Sequence, residues 1–230
     1  MKATALVVIA TYCLALGQVR ADTTWNVADD FDWTNNPNGD WSYGYHAAGL
    51  PDSTQGVFVL FDGYTHTFLP SEPLVGHCRT TVIDPNLTLN PTATAYTNWG
   101  ITWDPGELSI GTYPSDSNSV GAGARWTAPS AGSYSIASTF IQNQIPGTSM
   151  PVYVYHNNTP LFSGETGDGV GSSTSFSNPI VVMAVGDTID FISHGGAHVE
   201  LRAEIAKVPE PSVLALLGLG ALCLVGLSRY

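Results

Sequence analysis

Positive charge is the scarcest feature of this chain. Of 230 residues only 7 are Lys or Arg, against 19 Asp or Glu, for a formal charge of −12. Between Asp22 and Lys207 the imbalance is steeper, with four cations against eighteen carboxylates and a net −14. Nucleic acid is thereby excluded as a partner, because binding it requires cations along the phosphates. Cysteine is nearly absent as well. Of 3 cysteines, Cys13 and Cys223 lie in apolar terminal runs, which leaves Cys78 alone in the body. An internal disulfide there is excluded, and the core has to be stable on burial alone, with Cys78 expected to be buried and inert. Sustained helical periodicity is missing throughout. So are a Gly-x-Ser-x-Gly elbow, a Gly-rich phosphate loop and any carboxylate pair with recognisable acid and base roles, so no catalytic constellation is visible.

Both ends are distinctive. Lys2 precedes an apolar and small-residue run from Ala3 to Leu16, and Val19-Arg20-Ala21 supplies small residues at the two positions a signal peptidase reads. This predicts a secretory signal over residues 1–21, cleaved between Ala21 and Asp22. Its apolar run is too short for the roughly 20 residues of a spanning helix. At the other end Val208-Pro209-Glu210-Pro211-Ser212 precedes fifteen uncharged residues, Val213 to Leu227, and then Arg229. As a helix that run would be about 22 Å long, able to engage a membrane but short against a hydrocarbon core of roughly 30 Å. Arg229 beyond it fits retention on the cytoplasmic side.

The tail, residues 208–230, resembles the PEP-CTERM sorting signal. The resemblance rests on Pro209-Glu210-Pro211 placed just before an apolar helix and a terminal cation. It implies processing by an exosortase-type membrane enzyme in a bacterium that builds exopolysaccharide, with transient membrane anchoring through the C-terminal helix.

Residues 22–207 remain, the size of one ordinary domain. Tyr134, Ile136 and Phe140 alternate with Ser133, Ser135 and Thr139, and Val199, Leu201, Ala203 and Ile205 alternate with Glu200, Arg202 and Glu204. Period two predicts strands with one buried face, the charged set facing solvent. Further strands are expected at Val152–His156, Leu161–Phe162, Ile180–Met183 and Thr188–Ile192. The earlier half adds Trp41–Tyr45, Val57–Phe61, Ala95–Thr102, Leu108–Ile110 and Gly123–Thr127. Short strands separated by Gly, Asn, Asp and Pro turns argue for a single all-β antiparallel sandwich or jelly roll, flanked by the signal helix and the hydrophobic C-terminal helix. Arg125 to Pro129, Gly132 to Tyr134, Val152 to Phe162 and Gly186 to Phe191 are similar to a body type found ahead of PEP-CTERM tails. That resemblance implies a jelly roll related in shape to carbohydrate-binding modules.

Candidate sites follow from aromatics, carboxylates and imidazoles. Of 6 tryptophans, Trp126 is expected in the core. Trp41, Tyr43 and Tyr45 share one strand face and are flanked by Asn38, Asp40 and His46. They are the expected exposed platform for stacking a sugar ring, the alternative being core. Asp29, Asp30 and Asp32, and separately Asp187 and Asp190, offer hard oxygen ligands for calcium, the alternative being turn closure and an outward side chain. No other cofactor is expected. His194 and His198 flank a glycine-rich turn and His77 adjoins Cys78, neither in a helical arrangement that would point two imidazoles at one metal.

The expected function is an exported surface or exopolysaccharide-associated matrix protein with weak glycan binding and no enzymatic activity. Its processing partners are signal peptidase and an exosortase-type enzyme. The alternatives are a secreted polysaccharide hydrolase or lyase, and an ice- or crystal-surface binder using Thr92, Thr94 and Thr97.

Overall fold

The computed structural model describes residues 23–46, 57–65, 72–79, 82–112, 121–144 and 148–209. The expected signal segment and the tail beyond Pro209 lie outside the described residues, and no described helix is long and apolar enough to cross a membrane. All described regular structure is antiparallel β, in two large sheets and a small hairpin.

The larger sheet has eight strands. Its order is β14 (Ser173–Met183), β11 (Gly132–Gln142), β16 (His198–Val208), β9 (Leu108–Gly111), β6 (Val82–Leu89), β5 (Val75–Arg79) and β4 (Gly63–Thr65), with β1 (Thr24–Asn26) also paired to β16. The second sheet runs β13 (Thr159–Glu165), β12 (Pro151–His156), β15 (Thr188–Ser193), β10 (Gly121–Thr127), β2 (Trp41–His46) and β3 (Phe58–Leu60). The two sheets face each other across one apolar core containing Val199, Leu201 and Ile205 from β16, Ile136 and Phe140 from β11, and Phe191 and Val154 from the second sheet. The fold is a β-sandwich, as the alternation indicates.

Trp126 lies at the centre of this core, 0 % exposed. Its ring meets Trp25 edge-on at 5.0 Å and Tyr134 at 5.1 Å, a favoured arrangement for aromatic quadrupoles. On the opposite face of the same sheet the backbones come close together at Gly44 and Gly123, which are register partners. A Cβ on Gly123 would lie 1.9 Å from the Phe191 carbonyl oxygen, so only glycine fits there. The β12–β13 connection is a two-residue turn with Asn157 and Asn158 at φ 47° and 65°, which matches the twist of a hairpin.

Three expectations need correction. Ala95–Thr102 is not one strand but a hairpin, β7 (Tyr96–Asn98) and β8 (Ile101–Trp103), reversed at Trp99 and Gly100 with φ 48° and 77°. Strands β5 and β6 were not expected at all. Glu200 does not face open solvent but is 9 % exposed, whereas Arg202 and Glu204 do lie on the exposed side.

Candidate functional site

The aromatic residues of β2 alternate inward. Trp41 is 1 % and Tyr43 0 % exposed, and Tyr45 packs half-buried against the same core, so they are not an exposed platform. Their neighbours explain why. The Trp41 indole Nε1 donates to Asp30 Oδ2 at 3.1 Å and the Tyr43 hydroxyl to the Asp30 carbonyl at 3.3 Å. Asn38 Nδ2 donates to that same carbonyl at 2.8 Å, and Asp40 accepts from Trp25 Nε1 at 2.8 Å. The polar residues taken as sugar readers therefore fasten the segment between β1 and β2 over the core edge. Burial raises the Tyr43 pKa strongly.

The carboxylates are equally committed. Arg125 grips Asp190 through two parallel hydrogen bonds, Nε to Oδ1 at 2.6 Å and Nη2 to Oδ2 at 2.8 Å, and His46 Nε2 lies 3.3 Å from Oδ2. Burial alone would raise the Asp190 pKa. The Arg125 and His46 hydrogen bonds outweigh it and hold the carboxyl below its usual range. Asp187 closes its turn by accepting from the Ala184 amide and Asn157 Nδ2, which lower its pKa in that order. Asp187 and Asp190 thus serve different partners and form no ligand pair. Asp30 accepts from the Asn26 amide as well as Trp41, and Asp32, bound first by the Thr34 hydroxyl and then by Asn35, is lowered to about 2. No cluster of three metal-ligating side chains occurs among the described residues. Asp190 was expected to face outward. It does leave the core, but into a second layer of Tyr153, Tyr155 and Ile192 with Phe58 against it, where Tyr153 and Tyr155 stack at 5.9 Å. The Arg125 guanidinium carbon sits 4.3 Å above the Phe58 ring.

Each of the four described cations is engaged in a comparable way. Arg79 lies 4.9 Å above Tyr45, Lys207 lies 5.9 Å from the Tyr134 ring, and Arg202 pairs with Glu200. These cation–aromatic contacts could be found only with the register in hand, since the paired residues are far apart in sequence.

The hairpin β7–β8 is the feature that sequence reasoning missed. It packs Ile101 and Trp103 with Leu74 into a small separate cluster. Close by lie Glu107, Asn143, Ser109 and His198. Asn143 Nδ2 donates to Glu107 Oε1, the Asp104 amide donates to Glu107 Oε2 at 2.9 Å, and Ser109 Oγ lies 3.3 Å from His198 Nδ1. Burial is the main cause that raises Glu107 to about 7, with nearby Glu200 adding to it, while desolvation lowers His198 to about 4. A serine, an imidazole and a carboxyl meet here, yet Glu107 is 5 % exposed and bonds the asparagine rather than the imidazole. The arrangement clamps the hairpin and does not make a nucleophile. His77 is an inward residue too. It stacks on Tyr43 at 5.1 Å and its Nε2 meets the Asp32 carbonyl at 2.7 Å, next to the buried thiol of Cys78. His194 lies at the turn after β15 and does not join His198 in a site.

At the hairpin tip the chain presents Trp99, the most exposed tryptophan among the described residues, 56 % accessible at φ 48°. Left-handed backbone is unusual for a bulky residue. Asn98 holds it there, its Oδ1 accepting the Trp99 amide at 3.0 Å and its Nδ2 donating to Glu72 at 2.7 Å. On the exposed side of the hairpin, Thr97 and Thr102 share a hydroxyl contact at 3.0 Å. Thr92 and Thr94 belong instead to a turn organised by Asn90, so the three threonines form no regular rank.

The model of the PEP-CTERM protein-sorting motif matches residues 207–229. No curated protein matches the chain. Among solved structures the chain is similar to a family 35 carbohydrate binding module from Clostridium thermocellum, at 19 % identity over 36 % of this chain and 69 % of that one, TM-score 0.24. It is similar to the Podospora anserina GH26-CBM35 β-(1,4)-mannanase at 12 % identity, over 83 % of this chain and 28 % of that one, TM-score 0.31. A third similarity is to rabbit GITRL, at 12 % identity over 53 % and 83 % of the two chains, TM-score 0.29. TM-scores this low carry no argument about ligand or activity, and the fold rests on the sheet topology. The tail carries a PEP-CTERM protein-sorting motif at residues 207–229, which indicates export and sorting to the cell envelope or surface.

Proposed function

We propose that the mature domain is a surface or matrix protein of an exopolysaccharide-building bacterium, exported through its first 21 residues and processed at its tail by an exosortase-type enzyme. The observation that carries this reading is the sorting motif at residues 207–229, which begins inside the last strand of the sandwich, β16. No stretch of chain separates the folded body from its sorting signal. The test is replacement of Pro209, Glu210 and Pro211 by Ala in a native host, followed by fractionation. Uncleaved precursor should accumulate in the membrane, and unchanged surface release would overturn the reading.

Glycan contact, the finer part of the proposal, is assigned to the hairpin tip rather than to β2. Among the described residues Trp99 is the aromatic that offers a ring face to a sugar, with the Thr97 and Thr102 hydroxyls on the same hairpin. A single stacking ring is worth on the order of 1 kcal/mol, so the affinity is weak. Trp99→Ala should weaken binding to polysaccharide fragments on a glycan array by roughly fivefold without shifting the melting temperature. Undiminished binding by this variant would remove the hairpin from the proposal.

A further inference from the structure

The sorting motif leaves the body at one corner of the eight-stranded sheet, and that corner is unusually apolar. Ser133 of β11 is the register partner of both Val208 in β16 and Val182 in β14, so the three residues form one row across the sheet. Val182 is 74 % exposed, Ile180 on the same strand 60 %, and Val185 in the turn that follows 69 %. The other described large apolar residues that are exposed, Val57, Leu60, Trp99 and Val170, belong to other parts of the fold. With neighbouring strands about 4.8 Å apart, Val182 lies only about 10 Å from the point where the tail departs. Four residues separate Val208 from Val213, where the uncharged run begins, and the five steps between them, fully extended, reach at most about 18 Å.

We infer that this corner, formed by Ile180, Val182 and Val185, is a membrane-contact surface on which the domain rests while its tail is still in the bilayer. The inference rests on the reading of the tail as membrane-engaged before processing. A tail this closely tethered brings the corner to the lipid interface, and apolar side chains there leave water for the acyl boundary. Two charged side chains beside the corner are tethered by hydrogen bonds rather than lying across it. Both Asp187 oxygens are occupied, by the Ala184 amide at 2.7 Å and Asn157 at 2.8 Å, and Lys207 Nζ donates to Ser130 Oγ at 2.7 Å. Elsewhere the body is strongly acidic and is repelled by an anionic leaflet, which favours this corner over other contacts. The lipid therefore sets the orientation of the domain, with the opposite end of the sandwich turned outward.

The test uses the signal-cleaved chain with its tail intact, reconstituted in phosphatidylcholine vesicles that contain lipids brominated near the glycerol end of the acyl chains. An environment-sensitive fluorophore is attached at V182C, at V170C on the opposite end of the sandwich, or at native Cys223 in the tail, with Cys223→Ser in the first two proteins. Cys78 is buried and does not compete for the label. Quenching severalfold stronger at V182C than at V170C is expected, together with quenching at Cys223. Quenching at Cys223 with V182C no different from V170C would overturn the inference and leave the tail reading intact. A blue-shifted but unquenched label at V182C would overturn it in favour of a second copy of the chain covering the corner. No quenching at Cys223 would overturn both.

Discussion

The main-chain N–H of Lys207 donates to the carbonyl of Thr23 at 3.0 Å. Thr24, Trp25 and Asn26 continue the pairing opposite Ala206, Ile205 and Glu204. Thr23, the first described residue, and Lys207, where the sorting motif begins, are therefore held side by side at the same end of one sheet. Deleting residues 22–26 should expose the Lys207 amide to hydrogen exchange while amides in β15 keep their protection. Equal protection in both proteins would show that β1 does not hold the end of β16.

Leu201 is 1 % exposed, while Glu204, two strand steps beyond its neighbour Arg202, faces out. Leu201→Asp places an unpaired charge in the core and should lower the melting temperature severely or prevent folding. Glu204→Gln should be nearly silent. Similar melting of the two variants would contradict the register, since a slip of one residue exchanges the faces.

Tyr43→Ala empties a fully buried aromatic site. Chemical denaturation should show a loss of about 3 to 5 kcal/mol. The same variant should leave glycan binding unchanged wherever enough protein stays folded to measure it, in contrast to Trp99→Ala.

Glu107 makes a pH-dependent contribution whose sign is opposite to that of an ordinary surface carboxylate. Its folded pKa of about 7 lies above the 4.5 of an ordinary glutamate, so its stabilisation is complete below pH 4.5 and is lost as pH rises through 7. The Asn143 Oδ1 atom is buried without a partner. Turning that amide over would set an acceptor opposite Glu107, where a protonated carboxyl can donate to it. The stability of the parent protein relative to Glu107→Gln should fall by on the order of 3 kcal/mol between pH 4 and pH 8. His198, lowered to about 4, acts in the other direction, since its contribution is lost as pH falls below 6.5. A flat difference between parent and Glu107→Gln would show that Glu107 titrates alike in the folded and unfolded chains.

The parts of the fold that could be read from the sequence are those with one wet face. In β11 and in most of β16 the two faces differ chemically, and the alternation gives both strand and orientation. Strand β5 could not be read because Val75, Gly76, His77 and Cys78 are all buried, so no polar residue marks an outer face. The same cause accounts for Glu200, which lies on the outer side of β16 beside the Glu107 cluster. Trp41, Tyr43 and Tyr45 share a face as expected, but period two states only that a face is shared, not which medium it meets. Asn38 and Asp40 suggested water nearby. Their real partners, the Asp30 carbonyl and the Trp25 indole, sit on a segment whose path no local pattern reveals. Trp99 was hidden by the opposite effect, since a tryptophan is an improbable residue for a turn with positive φ.

The pairing of Arg79, Arg125 and Lys207 with aromatic rings, and of Arg202 with Glu200, leaves the exterior with no unattached positive group among the described residues. In solution such a domain is an acidic colloid, with a net formal charge of −14 between Asp22 and Lys207. Copies repel one another at low ionic strength, and at about 0.15 M salt the repulsion reaches only about 8 Å. Ionic strength thus sets how closely copies of the domain can approach one another.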